Sequence, residues 1–581
     1  MLNLAAKFEG ANKTAYLNHK IILSVSASAA SKTTAKKKRN EEKTIAKPPL
    51  TERTWLAPLL SGVLLGVAFP TYEPIHLEPL AWIGLVPLLL SLKETKSFGE
   101  YYKLSYFSML IFTLVSVWWV ALSTPVGGVL MYFAESFFLT VPLMLFYIVW
   151  QRLGWNVALT ALPFIWTAWE WIYLEMDISF AWIVLGNSQA NLFWMTQHAD
   201  IFGVWGISFW IVSFNVLALA VVEKFRAATD ATQKQVVVRN AAVTALVMIS
   251  MILLYSAYRL LTPLESSGKV AKVAIVQPNI NPFLKWGAGQ ENVIMQKHYD
   301  VTKRVLSDNP DLIVYPETTI PFYILQPQHI EKRNVLWNHV AEWNTPLLTG
   351  FPDVMYYDNE SDRQAGSKFD KFAKRYYDSF NSAMLIEPKK STPQVYHKIE
   401  LVPFAERVPY MEYLPFLSEM AMDVGGVSSW GRGSDVKNFS FKTRSGDSVL
   451  VGSVICIESI YPRLTAEFTR RGAEFLSVIT NDGWFAKSYG PNQHAAFARL
   501  RCIETRRAMA RCANTGVSMF IDRYGRAYGE IPWWEEQVST QNVELASGQT
   551  FYVEHTDWLP KLCLLMAGLF VTAAIVKRFI A

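Results

Sequence analysis

Hydrophobic and polar positions divide the chain into two halves. From 55 to 258, long apolar stretches follow one another with short polar breaks; from 269 to 555, brief apolar runs alternate with amphipathic segments. A helix needs roughly 20 apolar residues to cross a bilayer. Stretches of that kind lie at 55–71, 77–92, 104–123, 127–150, 156–175, 203–222 and 240–258, and an eighth at 558–576. The second contains Pro87 and is the shortest. Soluble amphipathic helices show a polar face; these stretches do not, so the pattern predicts a multi-span α-helical membrane domain over 54–260 and a C-terminal span over 558–578.

Charge adds an orientation. Lys36, Lys37, Lys38, Arg39 and Arg53 precede the first stretch; Lys93, Lys96 and Lys103 lie between the second and third. Arg152 follows the fourth, Lys224, Arg226, Lys234 and Arg239 separate the sixth and seventh, and Lys577 and Arg578 follow the last. The alternate loops, including the long aromatic one at 174–200, carry no Lys or Arg. The positive-inside rule then puts both termini in the cytoplasm and 269–555 on the opposite face. Residues 1–53, rich in Lys, Ser and Ala, read as a disordered cytoplasmic tail. The net charge of +6 accompanies no nucleic-acid motif. The 174–200 loop reads as interfacial. Glu170 stands near a span end, and two readings stay open: a functional intramembrane acid, or a carboxylate reaching the headgroups.

In 269–555, VAKVAIVQPNI, DLIVYPETTIP, TPLLTGFP, SFNSAMLIE, SVLVGSVICIES, AEFLSVITND and TGVSMFIDRYG read as short strands. ENVIMQKHYDVTKRVLS and NQHAAFARLRCIETRRAMARCA read as helices between them, which predicts an α/β fold. Two segments interrupt the alternation. The polar 355–378 reads as a mobile surface insertion; the apolar 408–433 reads as a lid or membrane-dipping arm, with a plain packed helix as the other reading.

The four cysteines form no C-x-x-C or Cys/His metal pattern, and no metal or cofactor motif is present. Cys456 ends an apolar run, after Glu317 and Lys398 in chain order. A thiol is mostly protonated at neutral pH. A nearby carboxylate suits it as base, and a lysine suits the oxyanion formed when the thiolate attacks a carbonyl. The three residues point to an activated-cysteine enzyme.

LIVYPETTIP, VYHKIELVPFAERVP, SVICIES and ITNDGWF resemble the blocks of the nitrilase superfamily, which implies a Glu–Lys–Cys triad in a nitrilase-like αββα sandwich. VQPNI, FNSAM, NDGWFAKSYGPNQH, IDRYG and, upstream, FIWTAWEW and SFAWIVLGNSQ are similar to its membrane branch, the apolipoprotein N-acyltransferases. The resemblance implies Glu317 as base, Lys398 as oxyanion stabiliser and Cys456 as nucleophile. It further implies supporting or substrate-binding roles for Glu406, Glu458, Trp286 and Asn381. The implied reaction moves an acyl chain from a phospholipid donor, through a cysteine thioester, to the N-terminal amine of a diacylated apolipoprotein at a bacterial inner membrane. The alternatives are a membrane-tethered nitrilase-like amidase or hydrolase, and a non-enzymatic lipid-binding scaffold. Two positions depart from the pattern: Ile457 stands where Tyr is usual, and Ala405 where Gly is common, a strained substitution if that φ is positive.

Overall fold

The computed structural model describes residues 52–70, 75–265, 267–285, 287, 289–413 and 429–580. The 1–51 segment, Trp286 and most of the expected arm at 408–433 lie outside the described residues.

The apolar stretches form helices α1 (Glu52–Val67), α2 (Val86–Lys93), α3 (Phe98–Val117), α4 (Pro125–Leu153), α5 (Trp155–Leu174), α6 (Ala199–Ala227) and α7 (Ala231–Leu261). Four of them, α4 to α7, are long and apolar enough to cross a membrane, as is the C-terminal helix at 558–580. The expected span at 77–92 is not one helix. It breaks into a 3-10 turn (Glu78–Trp82) and the eight-residue α2, each with a proline in its first turn. At 1.5 Å per residue α2 covers only about 12 Å, short of the ~30 Å hydrocarbon core. It is held inside the helix cluster: Leu88 N–H donates to Ser61 Oγ (2.8 Å) and Leu85 N–H to Asn215 Oδ1 (2.8 Å).

The 174–200 loop also departs from expectation. Its 3-10 turns, Ala181–Ile183 and Leu185–Gln189, are buried rather than interfacial. Glu170 explains part of this. Its Oε1 accepts from Trp166 Nε1 (2.9 Å) and from Leu185 N–H (2.8 Å), so the carboxylate clasps the loop instead of reaching headgroups.

The second half is a two-sheet sandwich. One sheet contains β1 (Val270–Gln277), β2 (Leu312–Val314), β3 (Leu347–Tyr357), β4 (Lys368–Asp370), β5 (Arg375–Ile386) and β6 (Gln394–His397). The other contains β7 (Asn438–Lys442), β8 (Ser448–Ile455), β9 (Phe475–Thr480), β10 (Met509–Ala513), β11 (Ser518–Ile521) and β12 (Ala527–Ile531). β13 (Gln537–Glu544) returns to the first sheet beside β1. The strand orders are β13-β1-β2-β3-β5-β4, with β6 on β5, and β12-β11-β10-β9-β8-β7. β1–β2–β3 and β8–β9–β10 are parallel, which explains their unbroken apolar runs: both faces are covered. Helices α8 (Gln290–Leu306) and α9 (Ile330–Trp343) pack with the first sheet around Val276, Ile313, Leu336 and Val340. α10 (Pro462–Arg470) and α11 (Gly490–Thr505) accompany the second. The helix expected over 492–513 ends at Arg506, whose φ of 50° caps α11, and 509–513 is strand β10.

The 355–378 segment is not an irregular insertion. It extends the β3–β5 ladder from Asp353↔Phe380 to Tyr357↔Tyr376 and adds β4. Cross-strand aromatics stabilise it, with Tyr356 and Tyr377 ring centroids 5.6 Å apart.

The sandwich and the membrane helices meet on buried polar contacts. Asp200, at the start of α6, accepts from Arg506 (2.8 Å), Arg259 (2.8 Å) and Tyr255 OH (2.8 Å). α6 kinks at Gly203 (φ 64°), where a Cβ would come within 2.5 Å of the Tyr552 ring. At the kink Val204 N–H donates to Glu504 Oε1 (2.8 Å). Replacing Asp200 with Ala leaves the buried Arg506 without a carboxylate, its remaining hydrogen bonds going to Gln197 and the Arg523 carbonyl; a loss of about 3 kcal/mol is expected. A lowered thermal midpoint of the full chain in detergent checks this, and an unchanged midpoint contradicts it.

Candidate active site

Cys456 follows the last residue of β8 and sits at φ 52°, a costly conformation for a residue with a Cβ. Three contacts hold it there. Glu458 Oε2 accepts from Ile455 N–H (2.7 Å), while the Cys456 carbonyl faces Ser459 Oγ (2.8 Å) and His494 Nε2 (3.1 Å). Cys456 is therefore presented on a sharp turn at a strand end, half-buried.

Glu317 lies three residues beyond β2, the corresponding end of the other sheet. β3 passes close behind it: a Cβ on Gly350 would lie 2.4 Å from Thr318 N and 2.7 Å from Glu317 Cα, so β3 needs glycine at this point. Lys398 follows β6, buried, with Nζ 3.5 Å from Glu317 Oε1 and 2.9 Å from the Glu406 carboxylate. Asn381 Nδ2 donates to both carboxylates, at 2.7 Å to Glu317 and 2.9 Å to Glu406. Glu406 Oε2 also accepts from Val402 N–H (2.8 Å). Glu458 stands behind the same loop, accepting from Tyr396 OH (2.7 Å), Ile399 N–H (2.7 Å) and Glu400 N–H (3.3 Å). Six of the seven residues singled out from the sequence thus come together.

The electrostatics follow from burial and charge. Burial alone would lower the Lys398 amine, but Glu406 and Glu317 outweigh it and hold the amine above its ordinary range, so it stays a cation. Burial pushes the Cys456 thiol up, Glu317 adds to the shift, and Lys398 partly offsets it. The resting group is a thiol beside a carboxylate and an ammonium, an arrangement that moves a proton during attack rather than storing a thiolate.

The carbon–nitrogen hydrolase family profile matches residues 272–552, and the apolipoprotein N-acyltransferase N-terminal domain profile matches 61–217. The apolipoprotein N-acyltransferase of Chlorobaculum tepidum is 46% identical over 534 residues, covering 91% of this chain and 98% of that protein. The chain belongs to the apolipoprotein N-acyltransferase family. The Geobacter metallireducens apolipoprotein N-acyltransferase is 29% identical, over 90% of this chain and 96% of its own length. Saccharomyces cerevisiae Nit3, a nitrilase-superfamily structure, is 14% identical over 49% of this chain and 93% of its own, with a TM-score of 0.34.

Two features of this acyltransferase were not read individually from the sequence. Lys285 is buried and donates to the Glu317 carbonyl (3.3 Å) and Thr318 Oγ1 (2.9 Å), and burial draws its ammonium down to about 7. His494 connects the Cys456 turn to the buried 174–200 loop. Its Nε2 faces the Cys456 carbonyl and Ser459 Oγ (2.9 Å), and its Nδ1 faces Asp482 Oδ1 (2.8 Å). The Asp482 Oδ2 is taken by Arg511 (2.6 Å). Trp182, from the buried loop, lies with its ring 5.3 Å from the imidazole. Cys456, Asp482 and His494 present donor atoms within 4.8 Å of one another, yet the Arg511 guanidinium occupies the carboxylate and disfavours a metal cation there. These residues stood in the NDGWF and PNQH blocks, whose spacing says nothing about which carbonyl they meet.

The two departures from the family pattern resolve differently. Ala405 has no positive φ; that conformation falls on Phe404 (φ 61°), so the expected strain is absent at Ala405. Ile457 is buried in the turn behind the nucleophile.

Because burial disfavours the thiolate, iodoacetamide labelling of Cys456 is expected to keep rising with pH past about 9. Mass spectrometry of the labelled chain checks this; a plateau at neutral pH contradicts it. His494→Ala releases the Cys456 carbonyl, and a loss of about 10²-fold in acyl transfer is expected from the displaced thiol with the fold intact. Activity and the thermal midpoint, measured together, check it.

Proposed function

We propose that this acyltransferase works in two steps on a single thiol, with Glu317, Lys398 and Cys456 as its reacting groups. Glu317 takes the Cys456 proton as the sulfur attacks the ester carbonyl of a phospholipid. Lys398 and backbone N–H groups stabilise the oxyanion. The carbon–oxygen bond breaks, Glu317 returns the proton to the departing alkoxide, and a lysophospholipid leaves. The α-amine of a diacylglyceryl-cysteine apolipoprotein then attacks the thioester, losing a proton to Glu317. The carbon–sulfur bond breaks, an amide forms and the thiol regains its proton. Glu406 and Asn381 hold Lys398 and Glu317 in register, Glu458 holds the loop beneath, and Trp286 contributes to substrate handling.

The observation that carries this reading is a cationic lysine 3.5 Å from Glu317, with both acting on a thiol at a strained strand end. The partners follow from the site's setting. α11, which bears His494, is clamped to the membrane helices: Gln493 Oε1 accepts from Trp119 (3.2 Å) and Trp182 (2.8 Å), and its Nε2 donates to the Ser116 carbonyl (3.0 Å). A thiol at that junction suits substrates anchored in a bilayer. Membership of the apolipoprotein N-acyltransferase family supports a bacterial inner membrane, and the apolar helices support 54–260 and 558–578 as its spans; the lysine and arginine asymmetry of the loops supports the orientation. The asymmetry supports placing the 269–555 domain on the extracytoplasmic side and residues 1–53 in the cytoplasm.

Incubation with phospholipid is expected to give a fatty-acyl adduct on Cys456, seen by mass spectrometry and discharged by a diacylated lipopeptide. Cys456→Ala is expected to give neither adduct nor product. Equal release of lysophospholipid and free fatty acid without acceptor would instead identify a hydrolase.

A further inference from the structure

We propose that the turn at 368–375 is a membrane-contact finger whose aromatic, basic tip seats on the anionic surface of the bilayer beside the catalytic domain. The inference rests on the reading that the apolar helices cross that bilayer.

The hairpin runs in the right direction. β3 is parallel to β2, whose end leads to Glu317, and the ends of these strands face the membrane helices: Phe485, after β9, packs on Trp119 at 4.4 Å. Pro352 pairs with Asn381, which marks the level of the site. β5 begins at Arg375, six residues further out, or about 20 Å at ~3.3 Å per residue. The hairpin therefore overshoots the catalytic pocket on the side of the helices.

Its base stands where a span ends. Gln364 and Arg432 make a two-way clasp, Nε2 to carbonyl at 2.8 Å and N–H to Oε1 at 2.9 Å. Arg432 ion-pairs with Asp177, which also accepts from Tyr410 N–H (2.7 Å). Asp177 is three residues past Leu174, the last residue of α5.

The tip is built rather than loose. Asp370 Oδ1 accepts from the N–H groups of Phe372 (2.8 Å) and Ala373 (3.0 Å), its Oδ2 accepts from Tyr356 OH (3.0 Å), and Lys374 takes φ 54°. This locked turn presents Phe372 with its side chain 100% exposed, flanked by Phe369 at 51%. Lys368, Lys371, Lys374 and Arg375 flank the two phenylalanines along the chain, against Asp370 alone within 368–375, and the Phe369 ring packs on Tyr376 (5.1 Å). Of the other acidic groups of the hairpin, Asp358, Glu360 and Asp362 lie on its 358–362 loop, where Arg375 pairs with Asp358 and Arg363 with Glu360, and Asp378 lies at its base, accepting from Tyr357 OH (2.7 Å) and Ser367 Oγ (2.7 Å). An exposed aromatic tip with basic residues on either side in the chain matches a lipid interface with anionic headgroups.

The test places a nitroxide spin label on Phe372→Cys in the full chain, in a Cys456→Ser background. The remaining cysteines are buried and stay unlabelled. In nanodiscs containing phosphatidylglycerol, the label is expected to be reached by oxygen in preference to a water-soluble nickel chelate. That preference is expected to be lost when Lys371→Glu and Lys374→Glu are combined. A label on Leu254→Cys, lipid-facing in α7, serves as the control. An aqueous Phe372 site with a lipid-exposed control overturns the finger alone. Protection appearing only after addition of a lipopeptide overturns it in favour of an acceptor-binding tip. An aqueous control overturns the membrane reading beneath it.

Discussion

The site depends on one buried charge, the Lys398 ammonium. Taken out of water, it demands compensation of several kcal/mol, and the surrounding loops are arranged to supply it. Glu317 comes from the end of β2 and Glu406 from the 402–407 turn, and Asn381 on β5 hydrogen-bonds both. The Lys398 main chain is pinned as well, its N–H to the Asn381 carbonyl (2.9 Å) and its carbonyl to Gly433 N–H (2.8 Å). In the proposed mechanism, the same cation that needs these partners lowers the cost of negative charge on the attacked oxygen. Stability and chemistry therefore draw on a single electrostatic arrangement.

Cys456 is coupled to that arrangement through its backbone. Glu458 ties the Cys456 turn to the 399–400 loop by receiving N–H groups from both. His494 ties the Cys456 carbonyl to Asp482 and places the imidazole against Trp182 of the membrane half. A buried loop of the membrane half thus packs directly against the residue that holds the thiol turn in place. This accounts for the depth of the 174–200 segment: it is the joint between the two halves, not a surface feature.

What was legible depended on whether local pattern or distant contact decides an element. Seven apolar stretches became helices of about the expected extent because each satisfies its own backbone. The 77–92 stretch was misread because a proline in an apolar run can either sit inside one helix, as Pro142 and Pro163 do, or open a new one, as Pro79 and Pro87 do. The 355–378 segment looked irregular because its polar composition hides cross-strand ring pairs that only the β3–β5 register brings together. The strand β10 looked helical because buried positions on both faces of a parallel strand erase the alternation that identifies strands. Ala405 was suspected of strain because the positive φ of its turn could be assigned to either neighbour until the turn itself was seen.

By itself the sequence determined the division into an apolar helical half and an α/β half, and seven of the strands in their chain order. These follow from periodicity and turn residues; Glu406, Glu458, Trp286 and Asn381 were singled out only through the resemblance of short blocks to a known family, and Lys285 and the His494 network were not singled out. Only the tertiary structure decided how those residues meet. Lys398 is a bridge between two carboxylates, Cys456 is held by a histidine far along the chain, and the hairpin at 355–378 projects past the catalytic pocket. The physical reason is that hydrogen bonds and ion pairs depend on distance in space. Contacts separated by tens or hundreds of residues leave no periodic trace in the chain.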